Sequence, residues 1–200
     1  MSHVPLRARF RDLMPDEKSA LKDWWKQGVC QEGHGKVGLW ICGSRMRGTS
    51  YIAEVAMGRV VPQTESWDRV DALALVENLR SYWHLSDMVR RNPDDYALFL
   101  EMQDIELKME YLWHECEVLW VDDLHDEAID IPFWRKHVQP HLERRLKQQM
   151  PTVVATTLPP DSVKLSGLQE VIENLFVVCG ALTPVSERRT SAPYDSDAER

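Results

Sequence analysis

Short apolar runs alternate with longer stretches of helical periodicity along most of this 200-residue chain. Buried strands are predicted at residues 37–42, 116–121 and 152–156, because each is a short apolar segment closed by a turn or by polar residues. Residues 69–75 are predicted to be a strand or a strand-to-helix turn. Strands separated by helices imply a parallel sheet with helices on both faces. The sequence therefore predicts an α/β three-layer sandwich.

The stretches between the strands carry ordinary signals for the ends of helices. Pro15 suits the first position of a helix, and Asn92-Pro93 separates two neighbouring helices. Pro140 predicts a kink within the helix that contains it. The predicted helices are residues 15–27, 49–60, 76–91, 94–114, 131–149 and 166–179.

The first apolar run is followed directly by the segment GSRMRGTS, which precedes a predicted helix. This context suits a phosphate-binding loop, whose pattern is GxxxxGK[ST]. Gly43 and Gly48 fall at the two glycine positions, and Ser50 falls at the position that binds magnesium. Thr49 replaces the lysine, so a plain strand–turn–helix is the alternative. The remaining residues of the candidate loop are Ser44, Arg45, Met46 and Arg47.

The second and third apolar runs end in residues that suit nucleotide chemistry. Asp122 follows a strand that we expect to neighbour the loop strand, where P-loop NTPases place a magnesium-binding acid. Asp123 suits the acid that orients or deprotonates the attacking water. Thr157 follows the third strand, where a polar side chain can sense a phosphate. The alternatives are an acidic turn at Asp122 and ordinary turn chemistry at Thr156 and Thr157.

The order of these segments resembles the helicase-loader ATPases of the DnaC/DnaI type and the related IstB-type transposition ATPases, which are minimal AAA+ proteins. The matching segments are ARFRDLMPDEKSALKDWW, GLWICGSRMRGTSYIAEVA, VDALALVENLR, VLWVDDLH and PTVVATTLPP. The resemblance implies a P-loop NTPase that binds ATP and Mg²⁺, with Ser50 and Asp122 on the metal. It further implies Asp123 as the catalytic acid and Thr157 at the sensor-1 position.

The same resemblance implies a role in DNA replication, with the replicative helicase as partner, contact with single-stranded DNA and a homo-oligomer. Three departures from the family pattern predict weak or absent hydrolysis. Thr49 replaces the loop lysine, Thr157 replaces the sensor asparagine, and LQEVIENLFVVCG lacks the arginine finger. Arg45 and Arg47 are the candidates to replace the lysine. A non-hydrolysing adaptor and an IstB-like transposition ATPase are the alternative functions.

The net charge of -8 argues against a protein that coats nucleic acid over its whole surface. Residues 1–47 nevertheless carry about +4, with nine Lys/Arg against five acids. Residues 131–150 are also basic, whereas residues 101–130 have eleven acids against Lys108. The helix from Arg135 to Lys147 is therefore a candidate DNA contact, and a solvated helix face is the alternative.

The chain is divided into a basic lead-in over 1–36, the NTPase domain over 37–182 and a disordered tail over 183–200. No signal peptide or membrane span is predicted, and the four separated cysteines suit a reducing compartment, so the predicted location is cytoplasmic. His137 and His141 have a spacing that can bind zinc, but Pro140 lies between them and packing is favoured. Core or partner-helix packing is also expected for Trp83, Tyr96, Tyr111 and Trp113, and base stacking on single-stranded DNA is the alternative.

Overall fold

The computed structural model describes residues 8–26, 38–43, 48–125, 131–157 and 175–179. The strands are β1 (Gly38–Cys42), β2 (Trp67–Asp71), β3 (Val118–Leu124), β4 (Thr152–Thr156) and β5 (Leu175–Cys179). The helices are α1 (Pro15–Trp24), α2 (Thr49–Val60), α3 (Ala72–Arg91), α4 (Tyr96–Glu110), α5 (Ile131–His137) and α6 (Gln139–Lys147). A π-helical turn, Tyr111–Glu115, continues α4.

The described strands form one parallel sheet in the order β2-β3-β4-β1-β5. Helices α1 and α2 pack on one face, where Leu21, Trp24 and Ile52 are buried. Helices α3, α5 and α6 cover the other face, where Leu75 and Trp134 are buried. The predicted α/β three-layer sandwich is thereby confirmed.

Local sequence explains where several of these elements begin. Residues of β1 and β4 are all buried, as expected for central parallel strands that are covered on both faces. Asp71 caps α3, because its carboxylate accepts hydrogen bonds from the backbone N–H groups of Leu73 and Ala74 at 2.9 and 3.1 Å. Asp95 caps α4 in the same way.

The predicted closing helix over 166–179 is wrong at its end, because Leu175–Cys179 is strand β5. Short apolar runs do not distinguish a buried strand from a buried helix by periodicity alone. This run pairs with β1 along its whole length, from Gly38 opposite Leu175 to Cys42 opposite Cys179. Pairing satisfies backbone groups of β1 that would otherwise form an open sheet edge. Residues 166–174 lie outside the described part of the chain.

Other predicted boundaries also shift. Strand β3 does not end before Asp122-Asp123 but continues to Leu124, with an irregularity in its pairing to β4 between Val121 and Leu124. Helix α3 begins at Ala72, earlier than predicted, because Asp71 caps it. The helix predicted over 131–149 is divided into α5 and α6, which meet at Val138, two residues before Pro140.

Cys42 and Cys116 are buried free thiols, as the sequence predicted for them. Burial raises the pKa of the Cys116 thiol to about 11, so the thiol stays protonated at neutral pH. Residues 183–200 and Cys30 lie outside the described residues, so the predicted tail and domain limits stay predictions. Within the described residues, no helix has the length and apolar character that a membrane span requires.

Candidate nucleotide-binding site

The carboxyl ends of the parallel strands bring the predicted site residues to one edge of the sheet. Asp122 of β3 lies opposite Asp71 of β2, and Cys42 of β1 lies opposite Thr156 of β4. Strand β4 separates β3 from β1, so the expectation that β3 directly neighbours the loop strand is wrong. The side chain of Asp122 therefore extends past β4 to reach the start of α2. Ligands of open α/β sheets bind at this edge.

Gly48 adopts a left-handed conformation with φ of 74° immediately before α2. Glycine is favoured there because a Cβ atom would be strained at positive φ. Helix α2 begins at Thr49, and its first turn directs free backbone N–H groups and the positive end of the helix dipole outward. This end of α2 suits a bound anion. Loop residues 44–47, including both candidate arginines, lie outside the described residues.

Ser50 and Asp122 are 72 residues apart in sequence but are hydrogen-bonded in the structure. The Ser50 hydroxyl donates to Asp122 Oδ1 at 2.8 Å. Asp122 is buried, with 4% of the residue exposed. A hydroxyl and a carboxylate are hard oxygen ligands of the kind that Mg²⁺ prefers. The pair therefore fits the magnesium site that the fold family implies, because two suitable oxygens converge at the start of α2.

Arg69 of β2 is a third member of this cluster that the sequence did not reveal. Its guanidinium Nη2 forms an ion pair with Asp122 Oδ2, and the guanidinium carbon lies 4.2 Å from the centroid of the Trp120 ring. The available signal was strand alternation, because residues 69 and 71 share one face of β2 and pair with 120 and 122 of β3. Recognising it required knowing that β2 and β3 are neighbours.

Asp123 is exposed at the same edge and has a positive φ of 59°. Aspartate tolerates this left-handed conformation better than most residues. The irregularity in β3 lets Asp122 stay buried while Asp123 turns toward solvent. Nε2 of buried His125 lies 2.7 Å from Asp123 Oδ1, but the contact lacks hydrogen-bond geometry. The role of Asp123 as a catalytic acid stays a prediction.

The end of β4 connects the loop strand to the acidic strand. The Gly43 N–H donates to the Thr156 carbonyl at 3.1 Å, and the Thr156 hydroxyl donates to the Leu124 carbonyl at 2.7 Å. The Thr157 N–H donates to the same carbonyl at 3.1 Å. Thr156 therefore has a structural hydrogen bond, whereas Thr157 is half-buried at this edge and its sensor role stays a prediction.

The lead-in segment is fixed to the helix that follows the candidate loop. The Tyr51 hydroxyl donates to Asp12 Oδ2 at 2.7 Å and accepts from the Arg9 N–H at 3.1 Å. The Ala8 N–H donates to Glu54 Oε1 at 3.1 Å. Residues 8–12 thereby pack against the outer side of α2.

The basic helix that was predicted to contact DNA is not a uniformly exposed surface. Arg145 is fully buried, with 0% exposed, so its inclusion in that prediction was wrong. Its hydrogen-bond acceptors lie before β3 and at the start of β4, namely the carbonyls of Leu112, Cys116, Glu117 and Pro151 and the Thr152 hydroxyl. Arg144 and Lys147 are exposed, and the side chain of Arg135 lies outside the described residues.

Helices α3 and α5 form an open groove of about 410 Å³, lined by Arg80, Trp83, Phe133, Lys136 and His137. Trp83 is 47% exposed, which is unusual for a tryptophan. The His137 ring lies 5.6 Å from Trp83 and 4.5 Å from Phe133. Burial and, second, the charge of Lys136 lower the pKa of His137 below its ordinary value, so its ring is neutral at pH 7.

The two histidines considered for zinc take part in aromatic packing instead. His137 belongs to the groove, and His141 of α6 stacks on Trp113 with ring centroids 4.9 Å apart. Among the described residues, no group of three or more His, Cys, Asp or Glu side chains is placed to bind a metal ion. Trp113 is buried as expected, whereas Tyr96 is 69% exposed on α4.

No family model matches the sequence, and no curated protein matches it. Solved structures do match. The crystal structure of DnaI is similar with a TM-score of 0.60 and 19% identity, over 89% of this chain and 95% of that chain. The DnaC helicase loader is similar with a TM-score of 0.53 and 19% identity, over 80% of this chain and 87% of that chain.

Domain III of the Thermotoga maritima replication initiation protein DnaA is also similar, with a TM-score of 0.59 and 12% identity, over 94% of this chain and 73% of that chain. The resemblance stated from the sequence motifs is thereby confirmed as a likeness of fold. Identities this low establish the fold alone. The chain therefore has the AAA+ P-loop fold that is found in DnaI, the DnaC helicase loader and domain III of DnaA.

Proposed function

We propose that this protein is an ATP-binding helicase loader of the DnaC type, which acts in DNA replication by binding the replicative helicase. The contact between Ser50 and Asp122 is the observation that carries the nucleotide part of the proposal, because it joins the two metal-binding positions at the start of α2. The helicase part is supported by the likeness to DnaI and to the DnaC helicase loader.

In this proposal, residues 43–50 and the first turn of α2 bind the phosphates. Ser50 and Asp122 would hold Mg²⁺, which supplies positive charge to the phosphates when bound. Asp123 would orient water, and Thr157 would sense the terminal phosphate. Because Thr49 supplies no charge where the lysine is expected, we expect weak or absent hydrolysis. The proposal also places the protein in the cytoplasm and includes assembly into a homo-oligomer.

Replacing Asp122 with alanine is expected to weaken binding of a fluorescent ATP analogue in Mg²⁺ by at least about tenfold, because a carboxylate ligand to a metal is lost. The measurement is a fluorescence titration of the intact chain at fixed Mg²⁺. Asp87→Ala is the control, since it removes one surface carboxylate whose described partner is Arg90.

Two results would contradict the nucleotide proposal. One is no binding of the analogue by the unaltered protein, and the other is equal binding by the Asp122→Ala variant. Either result favours the alternative, a non-hydrolysing adaptor with the AAA+ fold. A pull-down with purified replicative helicase tests the other half, because no association would favour the IstB-like transposition ATPase or another role.

The groove between α3 and α5 supports binding of single-stranded DNA as a second function. Single-stranded nucleic acid is bound by aromatic rings on which bases stack and by cations that contact the backbone. Trp83 is half exposed, and its neighbour His137 is uncharged at neutral pH. Exposed Arg80 and Lys136 line the same groove and supply the positive charge.

Replacing Trp83 with alanine is expected to weaken binding of a labelled oligo-dT by about tenfold, because one base loses its stacking partner. Fluorescence anisotropy at several salt concentrations measures this change. The Tyr96→Ala variant is the control, since Tyr96 is also an exposed aromatic residue but lies on α4 outside the groove. Equal loss in both variants would show that the groove is not the binding site.

A further inference from the structure

Among the described residues of the candidate phosphate site, no lysine supplies the positive charge that a loop of this kind normally provides. Thr49 stands at the lysine position, and Asp122 adds a negative charge beside Ser50. The end of helix α2 offers roughly half an elementary charge, which is small against the several negative charges of ATP. A further cation from the protein would therefore stabilise a nucleotide bound here, and the loop arginines Arg45 and Arg47 lie outside the described residues.

Arg69 is a cation that the described structure brings into this cluster. Its guanidinium pairs with one oxygen of Asp122, while the other oxygen accepts the Ser50 hydroxyl at 2.8 Å. One carboxylate thus joins the guanidinium of β2 to the first turn of α2. Strand β2 is at the edge of the sheet, so the length of the arginine side chain lets its charge reach the site.

The surroundings of Arg69 fix its orientation but leave it accessible. The guanidinium carbon lies 4.2 Å from the centroid of the buried Trp120 ring, which supports the side chain from below. Half of the Arg69 side chain is exposed, against 6% for the side chain of Asp122. A guanidinium carries five N–H donors in a planar fork that suits phosphate oxygens, and Nη2 is the one used on Asp122.

We propose that Arg69 is the phosphate-binding cation of this site and replaces the lysine that Thr49 has displaced. Asp122 and Trp120 position it beside the start of α2. This inference rests on the proposed nucleotide binding and adds a residue to it. It also makes nucleotide binding less dependent on Mg²⁺, because a permanent cation already sits at the carboxylate that would hold the metal.

The test is a titration of the intact protein with a fluorescent ATP analogue, in Mg²⁺ and again in EDTA. Arg69→Gln is expected to weaken binding about tenfold or more under both conditions, since a charge-assisted contact to phosphate is lost. Arg69→Lys keeps the charge but not the fork, so a smaller loss is expected. Arg59→Gln is the matched control, because Arg59 also stacks on a tryptophan, Trp25, at 4.7 Å.

Circular dichroism of each variant distinguishes lost binding from lost folding. The inference would be overturned if the Arg69→Gln variant bound the analogue as tightly as the unaltered protein, or more tightly. Tighter binding would show that Arg69 blocks the nucleotide site. If the unaltered protein binds the analogue only in Mg²⁺ and Arg69→Gln changes nothing, the inference fails while nucleotide binding stands. If the unaltered protein binds no nucleotide under either condition, the proposed function itself fails.

Discussion

Replacing Arg145 with methionine is expected to lower the free energy of unfolding by about 3–5 kcal/mol, although Arg145 lies in the helix that was predicted to contact DNA. Arg145 is a fully buried residue of α6, with 0% exposed. Its guanidinium donates to four backbone carbonyls and one hydroxyl. Its shortest contacts are from Nη1 to the carbonyls of Leu112 and Cys116, both at 2.8 Å.

These acceptors come from the π-helical turn and the residue after it, and from the starts of β3 and β4, two strands that pair with each other. Leu112 belongs to the π-helical turn and Cys116 follows it, whereas Glu117, Pro151 and Thr152 lie at the starts of β3 and β4. Methionine has a side chain of similar length, so it preserves much of the packing but removes the guanidinium donor from every acceptor, of which the Pro151 carbonyl keeps the Leu119 N–H. A buried polar group that loses its partner costs about 1–3 kcal/mol, and several lose it together here.

Urea denaturation followed by circular dichroism measures this change in the free energy of unfolding. Arg144→Met is the matched control, since Arg144 is the exposed neighbour on the same helix, and we expect a change within about 0.5 kcal/mol. A loss below about 1 kcal/mol in Arg145→Met would show that water replaces the guanidinium and that the network does not stabilise the fold.

Replacing Trp120 with alanine is also expected to destabilise the protein by about 3–5 kcal/mol, because a large core side chain leaves a cavity. Trp120 is 1% exposed in β3 and packs in the core between the sheet and helices α1 and α2. It also supports Arg69. The substitution is therefore expected to impair nucleotide binding as well as stability.

Trp120→Phe is the informative comparison for this position. The indole Nε1 is buried without a hydrogen-bond partner, so phenylalanine removes a poorly satisfied polar atom and keeps most of the ring. We expect a loss of at most about 1.5 kcal/mol from the smaller volume. Urea denaturation of both variants measures the difference, and equal losses would show that the indole nitrogen is satisfied in solution.

Local patterns predicted the elements that carry the candidate site. The sequence predicted α2 and β4 with the bounds that the structure has, because apolar runs, turn residues and helix starts are local signals. It failed at 175–179, where LFVVC suits both a strand and the end of a helix. That segment is a strand because β1 offers it an edge, which is a contact between distant parts of the chain.

For the site, spacing selected Ser50 and Asp122, and the structure brought them within hydrogen-bond distance. Spacing did not select Arg69, because that residue belongs to no motif and reaches Asp122 only when β2 lies beside β3. The same limitation led to the wrong assignment of Arg145. Helical periodicity shows which residues share a face. It does not show that five hydrogen-bond acceptors from distant segments surround the guanidinium of Arg145.

The sequence by itself determined that strands and helices alternate, that a glycine loop precedes α2 and that two acids come directly after an apolar run. Backbone propensity, capping and burial patterns act over a few residues, so one sequence suffices to read them. Tertiary structure alone decided the strand order, the fifth strand, the burial of Arg145 and the pairing of Arg69 with Asp122. The physical reason is that the partner of a charged group depends on which distant segments the folded sheet places together.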